Sequence, residues 1–201
     1  MSELTVLQAV RLKGRLSEQD LVGTLGEDPT AVAATLTQLI AAGLLVEGKT
    51  LRVSPEGRER LNALLAEERS GIDQNSLAKA YDDFRTVNNT FKALVADWQI
   101  KDGQPNAHDD AEYDTAVLNR LGDVHQQVSP IVAAVTALLP RLGAYGEKLN
   151  AALVKVKAGD TTWLARPIID SYHTVWFELH EELIAASGLT REEEARAGHA
   201  G

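Results

Sequence analysis

The spacing of helix-breaking residues changes near residue 70, and that change constrains the fold more than any other feature. Six of the 15 glycines fall in the first 70 residues, so only short elements fit there. Beyond residue 70, long stretches carry apolar residues at spacings of three and four with few breakers, the pattern of extended amphipathic helices. The junction Glu67-Glu68-Arg69-Ser70-Gly71-Ile72-Asp73 reads as a helix end followed by a new start. The 201-residue chain is therefore divided into a short-element domain over 1–70, a helical domain over 71–188, and a tail over 189–201. The glutamate run Glu192-Glu193-Glu194 marks the tail as a segment expected to fray.

In the first segment, Leu4, Val6, Leu7, Val10 and Leu12 predict one amphipathic helix, ended by Lys13-Gly14-Arg15. Ser17 with Asp20 three residues later resembles a capping box and opens a second helix, which stops near Gly26. Asp28-Pro29 supplies an N-cap residue and a first-turn proline for a third. Val32, Leu36, Leu39 and Ile40 give that helix its apolar face, and Gly43 stops it. Two β-prone runs, Leu44-Leu45-Val46-Glu47 and Thr50-Leu51-Arg52-Val53, flank Gly48-Lys49 and predict a hairpin. Ser54-Pro55-Glu56-Gly57 then opens a helix through Leu61, Leu64 and Leu65.

The order helix, helix, helix, hairpin, helix is the plan of a winged helix-turn-helix domain. The segment resembles MarR-like and related bacterial winged-helix domains in Leu39-Ile40-Ala41-Ala42-Gly43-Leu44-Leu45, in the hairpin, and in Ser54-Pro55-Glu56-Gly57-Arg58-Glu59-Arg60-Leu61. That resemblance implies a partner in double-stranded DNA, the third helix entering the major groove and the hairpin meeting the backbone. Net charge is −9, which argues against non-specific coating of nucleic acid. Residues 1–70 nevertheless carry 8 Lys and Arg against 10 Asp and Glu, so most of the excess lies in the helical segment. Cations available for phosphate are Arg11, Lys13 and Arg15 after the first helix, and Lys49 and Arg52 in the wing. On the third helix Ala31, Ala34, Thr35, Gln38 and Ala41 are read as outward. Gln38 suits adenine, and Thr35 a thymine methyl or a phosphate. No Lys or Arg occurs over 29–42, so arginine-to-guanine readout is absent from this helix. The alternative is a module that binds a protein rather than DNA.

The helical segment reads as an antiparallel four-helix bundle, which makes the whole chain mainly α. Leu77, Tyr81, Phe84, Phe91, Leu94, Val95 and Trp98 form one stripe; the stretch over 99–110 reads as a loop. A second helix buries Leu118, Leu121, Val124, Val128, Ile131, Val132, Val135 and Leu138, with Pro130 expected to kink it. A third carries Leu142, Tyr145, Leu149, Leu153 and Val156, and a last helix is expected from about Thr161 to Ala186, tolerating Pro167.

That last helix is unusually rich in aromatic and titratable residues: Tyr172, His173, Trp176, Phe177 and His180 are spaced by a turn or two. Asp114 and His125 follow helical spacing with Leu118 and Leu121, so both are expected to face inward. Two readings stay open. One is a structural hydrogen-bond network that fixes helix register. The other is a pocket for a small-molecule effector, drawn from Trp98, Asp114, His125, Trp163, Arg166, Asp170, Tyr172, His173, Trp176 and His180. Glu178 lies two residues before His180, on another helix face, so the Glu-x-x-His metal pattern is missing and neither metal nor cofactor is expected. Ser171 and His173 point apart on a helix, and no strained nucleophile turn is visible, so no catalytic residue is assigned.

This segment also resembles a bacterial family, in Asp97-Trp98-Gln99, Asn106-x-His108, Tyr113-Asp114, Gly159-Asp160-Thr161-Thr162-Trp163 and the run over 170–181. Members pair a winged-helix segment with this helical one. They occur alone, as transcriptional regulators, and as tails on enzymes resembling pyruvate phosphate dikinase. The resemblance implies a regulator and says nothing of the ligand. The chain has no cysteine, so thiolate chemistry and disulfides are excluded. No transmembrane run or secretion signal is visible. The expectation is a cytoplasmic DNA-binding regulator, not an enzyme, whose bundle senses an effector or forms a homodimer; a non-DNA ligand-binding or regulatory module is the alternative.

Overall fold

A computed structural model describes residues 1–199. The chain is mainly α-helical with two small antiparallel hairpins. It divides into two compact units, Met1–Gly71 and Ile72–Gly201.

In the N-terminal unit, α1 (Glu3–Lys13) starts at Ser2, whose hydroxyl accepts from the Thr5 amide. Helix α2 (Glu18–Leu25) begins with the full Ser17/Asp20 capping box and ends at Gly26 in the left-handed region. Helix α3 (Pro29–Ala41) begins at Asp28, whose carboxylate accepts from the Ala31 amide. Strands β1 (Leu45–Val46) and β2 (Arg52–Val53) pair as a hairpin, and Leu16 adds a bridge to Leu51. Helix α4 (Pro55–Ser70) follows, with Ser54 as its cap. Val6, Leu7, Leu21, Val32 and Leu61 are almost wholly buried, so the apolar faces of all four helices meet in one core.

Gly57 carries a constraint that its position alone did not reveal. A Cβ there would lie 2.0 Å from the Leu44 carbonyl oxygen and 2.9 Å from Val53 Cγ1. Only glycine lets the first turn of α4 lie this close to the hairpin.

The second unit is built from α5 (Gln74–Gln99), α6 (Ala111–Leu138), α7 (Gly143–Lys157) and α9 (Tyr172–Ala186), with short α8 (Thr162–Ala165) and α10 (Arg191–Arg196) between and after them. Helix α5 packs on α6, α6 on α7, and α7 on both α8 and α9. Helix α6 continues through Pro130, and a 3-10 turn at Pro140–Leu142 leads into α7.

Three expectations need correction. The stretch over 99–110 is not a plain loop. It holds strands β3 (Ile100–Lys101) and β4 (Gln104–Pro105), turned by Asp102 and Gly103 at φ 52° and 75°, as an Asp-Gly two-residue hairpin requires. The last long helix does not start near Thr161. Helix α8 stops at Ala165, and α9 restarts after Pro167 with Ser171 accepting from the Thr174 amide, because proline cannot donate inside a helix. The segment after Leu189 is not a frayed tail throughout. Thr190 and Glu193 form a capping box, α10 follows, and Glu194 is buried. The expected tail's last two residues, 200–201, lie outside the described residues.

Candidate functional site

In the N-terminal unit, the exposed positions of α3 include Ala34, Thr37, Gln38 and Ala41. Thr35 is half-buried and its hydroxyl donates to the Ala31 carbonyl at 3.0 Å. Thr37, which sequence spacing did not select, is the exposed threonine, though it too bonds its own helix, at Ala33. Ala31 is likewise only half exposed, because α3 turns its outward face slightly from the predicted one.

The hairpin gathers cations. Leu16 bridges Leu51 in antiparallel register, and Arg52 pairs with Val46. Arg15 and Arg52 each lie one residue from that Leu16–Leu51 bridge. Both are exposed, as is Lys49 in the turn. Arg11 is exposed with its Nε donating to Gln8, and Lys13 is half-buried. A cavity of about 430 Å³ lies between α3 and the hairpin, walled by Leu36, Thr37 and Ile40 on one side and by Lys49, Thr50 and Leu51 on the other.

In the helical unit, the ten residues expected around an effector do not surround one cavity. Tyr172 and Trp176 belong to a buried ring stack. Trp176 lies 4.4 Å from Phe91 and 5.1 Å from Phe84, centroid to centroid, and Tyr172 lies 5.5 Å from Phe91. The indole N–H donates to Asn88 Oδ1 at 2.8 Å, and Asn88 Nδ2 donates to the His199 carbonyl. His125 joins from α6, its Nδ1 3.2 Å from the Tyr172 hydroxyl. Burial lowers the His125 pKa, with Lys157 adding to the effect. His173 leans on Phe91 at 5.9 Å with its outer edge exposed, and desolvation against that ring lowers its pKa as well.

Trp98 and Asp114 lie elsewhere, at the β3–β4 hairpin. Asp114 does not join the leucines of α6: it accepts from Asn106 at 3.0 Å and pairs with His108 Nδ1 at 2.9 Å. Trp98 stacks near His108 at 4.3 Å, and its carbonyl accepts from Asn106. Tyr113 donates to the Asp97 carbonyl. Residues of Asp97-Trp98-Gln99, Asn106-x-His108 and Tyr113-Asp114 therefore converge on one clamp that closes the α5–α6 connection. Trp163 sits on α8 under the Lys155 ammonium, 3.2 Å from its ring. Arg166 is exposed in the segment between α8 and α9, and Asp170 pairs with Lys148. One-dimensional spacing cannot say which helix faces which, and so it merged these neighbourhoods.

Sequence reasoning missed two buried ion clusters on α9 and its neighbours. His180 is buried, with Nε2 3.2 Å from the Tyr81 hydroxyl. Tyr81 donates to Glu194 at 2.7 Å, and Arg85 grips the same carboxylate through Nε and Nη2. With the phenol proton committed to Glu194, the neutral imidazole supplies its own N–H to the phenol oxygen. Burial pulls Glu194 upward, but the Arg85 and Tyr81 bonds outweigh it and hold the carboxyl below its usual range. The Tyr81/Arg85 i,i+4 pair is visible in the sequence; its partner is hidden in the tail. On the other side, Glu182 accepts from Arg141 at 2.7 Å and from Tyr145 at 3.2 Å.

His180 has a pKa lowered to about 4, by burial first and by Arg191 next. A histidine lowered from its usual value near 6.5 binds its proton more readily when unfolded, so stability falls as pH drops from about 6.5 towards 4. The loss is on the order of 2–3 kcal/mol. Urea melts of the wild type between pH 7.5 and 4.5 should show it, and His180→Phe should flatten the slope.

Among the described residues no group of three or more His, Cys, Asp or Glu is arranged to hold a metal, and no helix is long and apolar enough to cross a membrane. No family model, curated protein or solved structure matches the chain.

Proposed function

We propose that the chain is a DNA-binding transcriptional regulator: a winged helix-turn-helix domain over the N-terminal unit, followed by a four-helix bundle that senses an effector or dimerises. One observation carries this reading. Arg15 and Arg52 are exposed beside the Leu16–Leu51 bridge that ties the hairpin to the chain before α2, and neither has a carboxylate partner among the described residues. Like charges held near one another repel, and an anion placed between them relieves the repulsion. The phosphate backbone is such an anion, and a wing lying beside α3 is where a winged helix meets it.

The uncharged face of α3 favours a second reading, a protein-binding module. Ala34, Thr37, Gln38 and Ala41 offer little to base edges beyond Gln38.

A labelled-DNA shift with the gene's own upstream region, at low and moderate salt, separates the two. Binding should weaken steeply with salt, and Arg15→Ala should reduce the log–log slope by about one for each phosphate the side chain neutralises. Absence of salt-dependent binding at micromolar protein would leave the protein-binding reading.

A further inference from the structure

We propose that the groove between α5 and α9 binds a planar organic anion, an aromatic ring bearing one carboxylate. The proposal deepens the reading of the bundle as the sensing part and rests on that reading for its biological role. The binding itself is tested without DNA.

The groove exists because rings separate the helices. Phe84, Phe91 and Trp176 stack between α5 and α9, holding the two backbones farther apart than small side chains would. The space left open is about 260 Å³. Typical small-molecule pockets run from roughly 300 to 1,000 Å³, so this one suits a ligand of one or two rings.

Its walls define the chemistry. From α9, His173 and Phe177 border the opening one turn apart. Phe177 is 41% exposed, against 2% for its neighbour Trp176, so the part of its ring that Arg191 does not cover is left in contact with solvent. From α5, Val95 and Ala96 line the opposite side, where the small Ala96 side chain leaves room for a ring. Two cations also line the groove, Arg191 and Lys92. Arg191 is already engaged: it stacks over Phe177 at 4.7 Å and bonds Glu181 at 2.6 Å. Lys92 is half-buried and has no carboxylate partner among the described residues. Its charge is felt as far as His180. A half-buried ammonium beside an apolar, aromatic wall calls for an anion carried on an apolar body. The Trp176 N–H does not take part in recognition, because Asn88 holds it.

The test uses the full chain and two probes, 2-naphthoate and its neutral counterpart 2-naphthamide, followed by titration calorimetry. Saturable one-to-one binding of the naphthoate is expected, with the amide weaker by about tenfold or more, since the ammonium discriminates charge. Lys92→Ala should weaken naphthoate binding by about the same factor, and Ala96→Trp should abolish it by filling the groove. Ala96 is exposed, and circular dichroism of both variants confirms that the helices persist. Equal affinity for acid and amide, unchanged affinity in both variants, or no saturable binding at millimolar naphthoate would each overturn the proposal. DNA shifts on the same preparations are scored separately. Naphthoate binding without DNA binding sinks the regulator and keeps the groove; DNA binding without naphthoate binding does the reverse.

Discussion

Gly57→Ala is expected to unfold the N-terminal unit while leaving the helical unit folded. The added methyl would meet the Leu44 carbonyl oxygen at 2.0 Å and its carbon at 2.9 Å. Backbone cannot rotate aside as a side chain can, so either α4 or the strand must move. The strand is held on several sides. The Leu44 carbonyl accepts from the Ser54 amide at 3.1 Å, and the Ser54 hydroxyl bonds the carbonyls of Gly43 and Leu44 while capping α4. Moving α4 away would strip these bonds and open the core around Leu61. Overpacking a core commonly costs about 1–3 kcal/mol and sometimes more; here the clash is with backbone, so about 3 kcal/mol or more is expected. Amide exchange read by mass spectrometry should show protection removed over 1–71 and retained over α5 and α6. Retained protection in both units would refute the prediction.

Arg141→Ala should be the most damaging charge removal in the helical unit. Arg141 and Glu182 are 13% and 3% exposed in their side chains. Tyr145 also bonds Glu182, and burial followed by the Glu182 and Glu178 charges raises the tyrosine's pKa well above its usual value. Without the guanidinium, Glu182 loses a charged partner while it stays buried beside the Tyr145 phenol. Deleting one partner of a buried pair costs about 3–5 kcal/mol, because the remaining charge stays desolvated. The pH dependence should also turn. An unpaired buried carboxyl has a raised folded-state pKa, so the variant's deficit shrinks as pH falls and the carboxyl takes a proton. Urea denaturation at pH 7.5 and pH 5 measures both effects. A variant within about 1 kcal/mol of wild type at pH 7.5 would show the pair to be solvated rather than buried. Arg141→Met combined with Glu182→Gln should recover much of the loss, since it removes both charges.

Local chemistry was the most legible part of the fold. Ser17 with Asp20, Asp28 with Pro29, and Ser54 with Pro55 each carry their helix start in three or four residues, and each caps a helix in the structure. The same kinds of signal operate where a loop and a frayed tail were expected. Asp102-Gly103 is a two-residue hairpin turn, and Thr190 with Glu193 is a capping box. The helical pattern beyond Pro167 masked a true break. The candidate site was less legible for a different reason. Periodicity shows which residues share a helix face, as for Asp114 with Leu118, but not what lies opposite. Asp114 is half-buried because a hairpin folds onto it. The Gly57 constraint and the Glu194 cluster are likewise properties of the assembled backbone, invisible to spacing along a single helix.

The three tryptophans make the helical unit its own optical reporter. Trp176 is sealed between Phe84 and Phe91, so its emission is that of an apolar site and reports packing of the stack. Trp98 sits 4.3 Å from the His108 ring, so its intensity follows the closure of the hairpin clamp. Trp163 lies under the Lys155 ammonium and reports the α7–α8 junction. Single-tryptophan versions, with phenylalanine at the other two positions, would follow core, hairpin and junction independently through one unfolding curve, in a chain with no cysteine to complicate added labels.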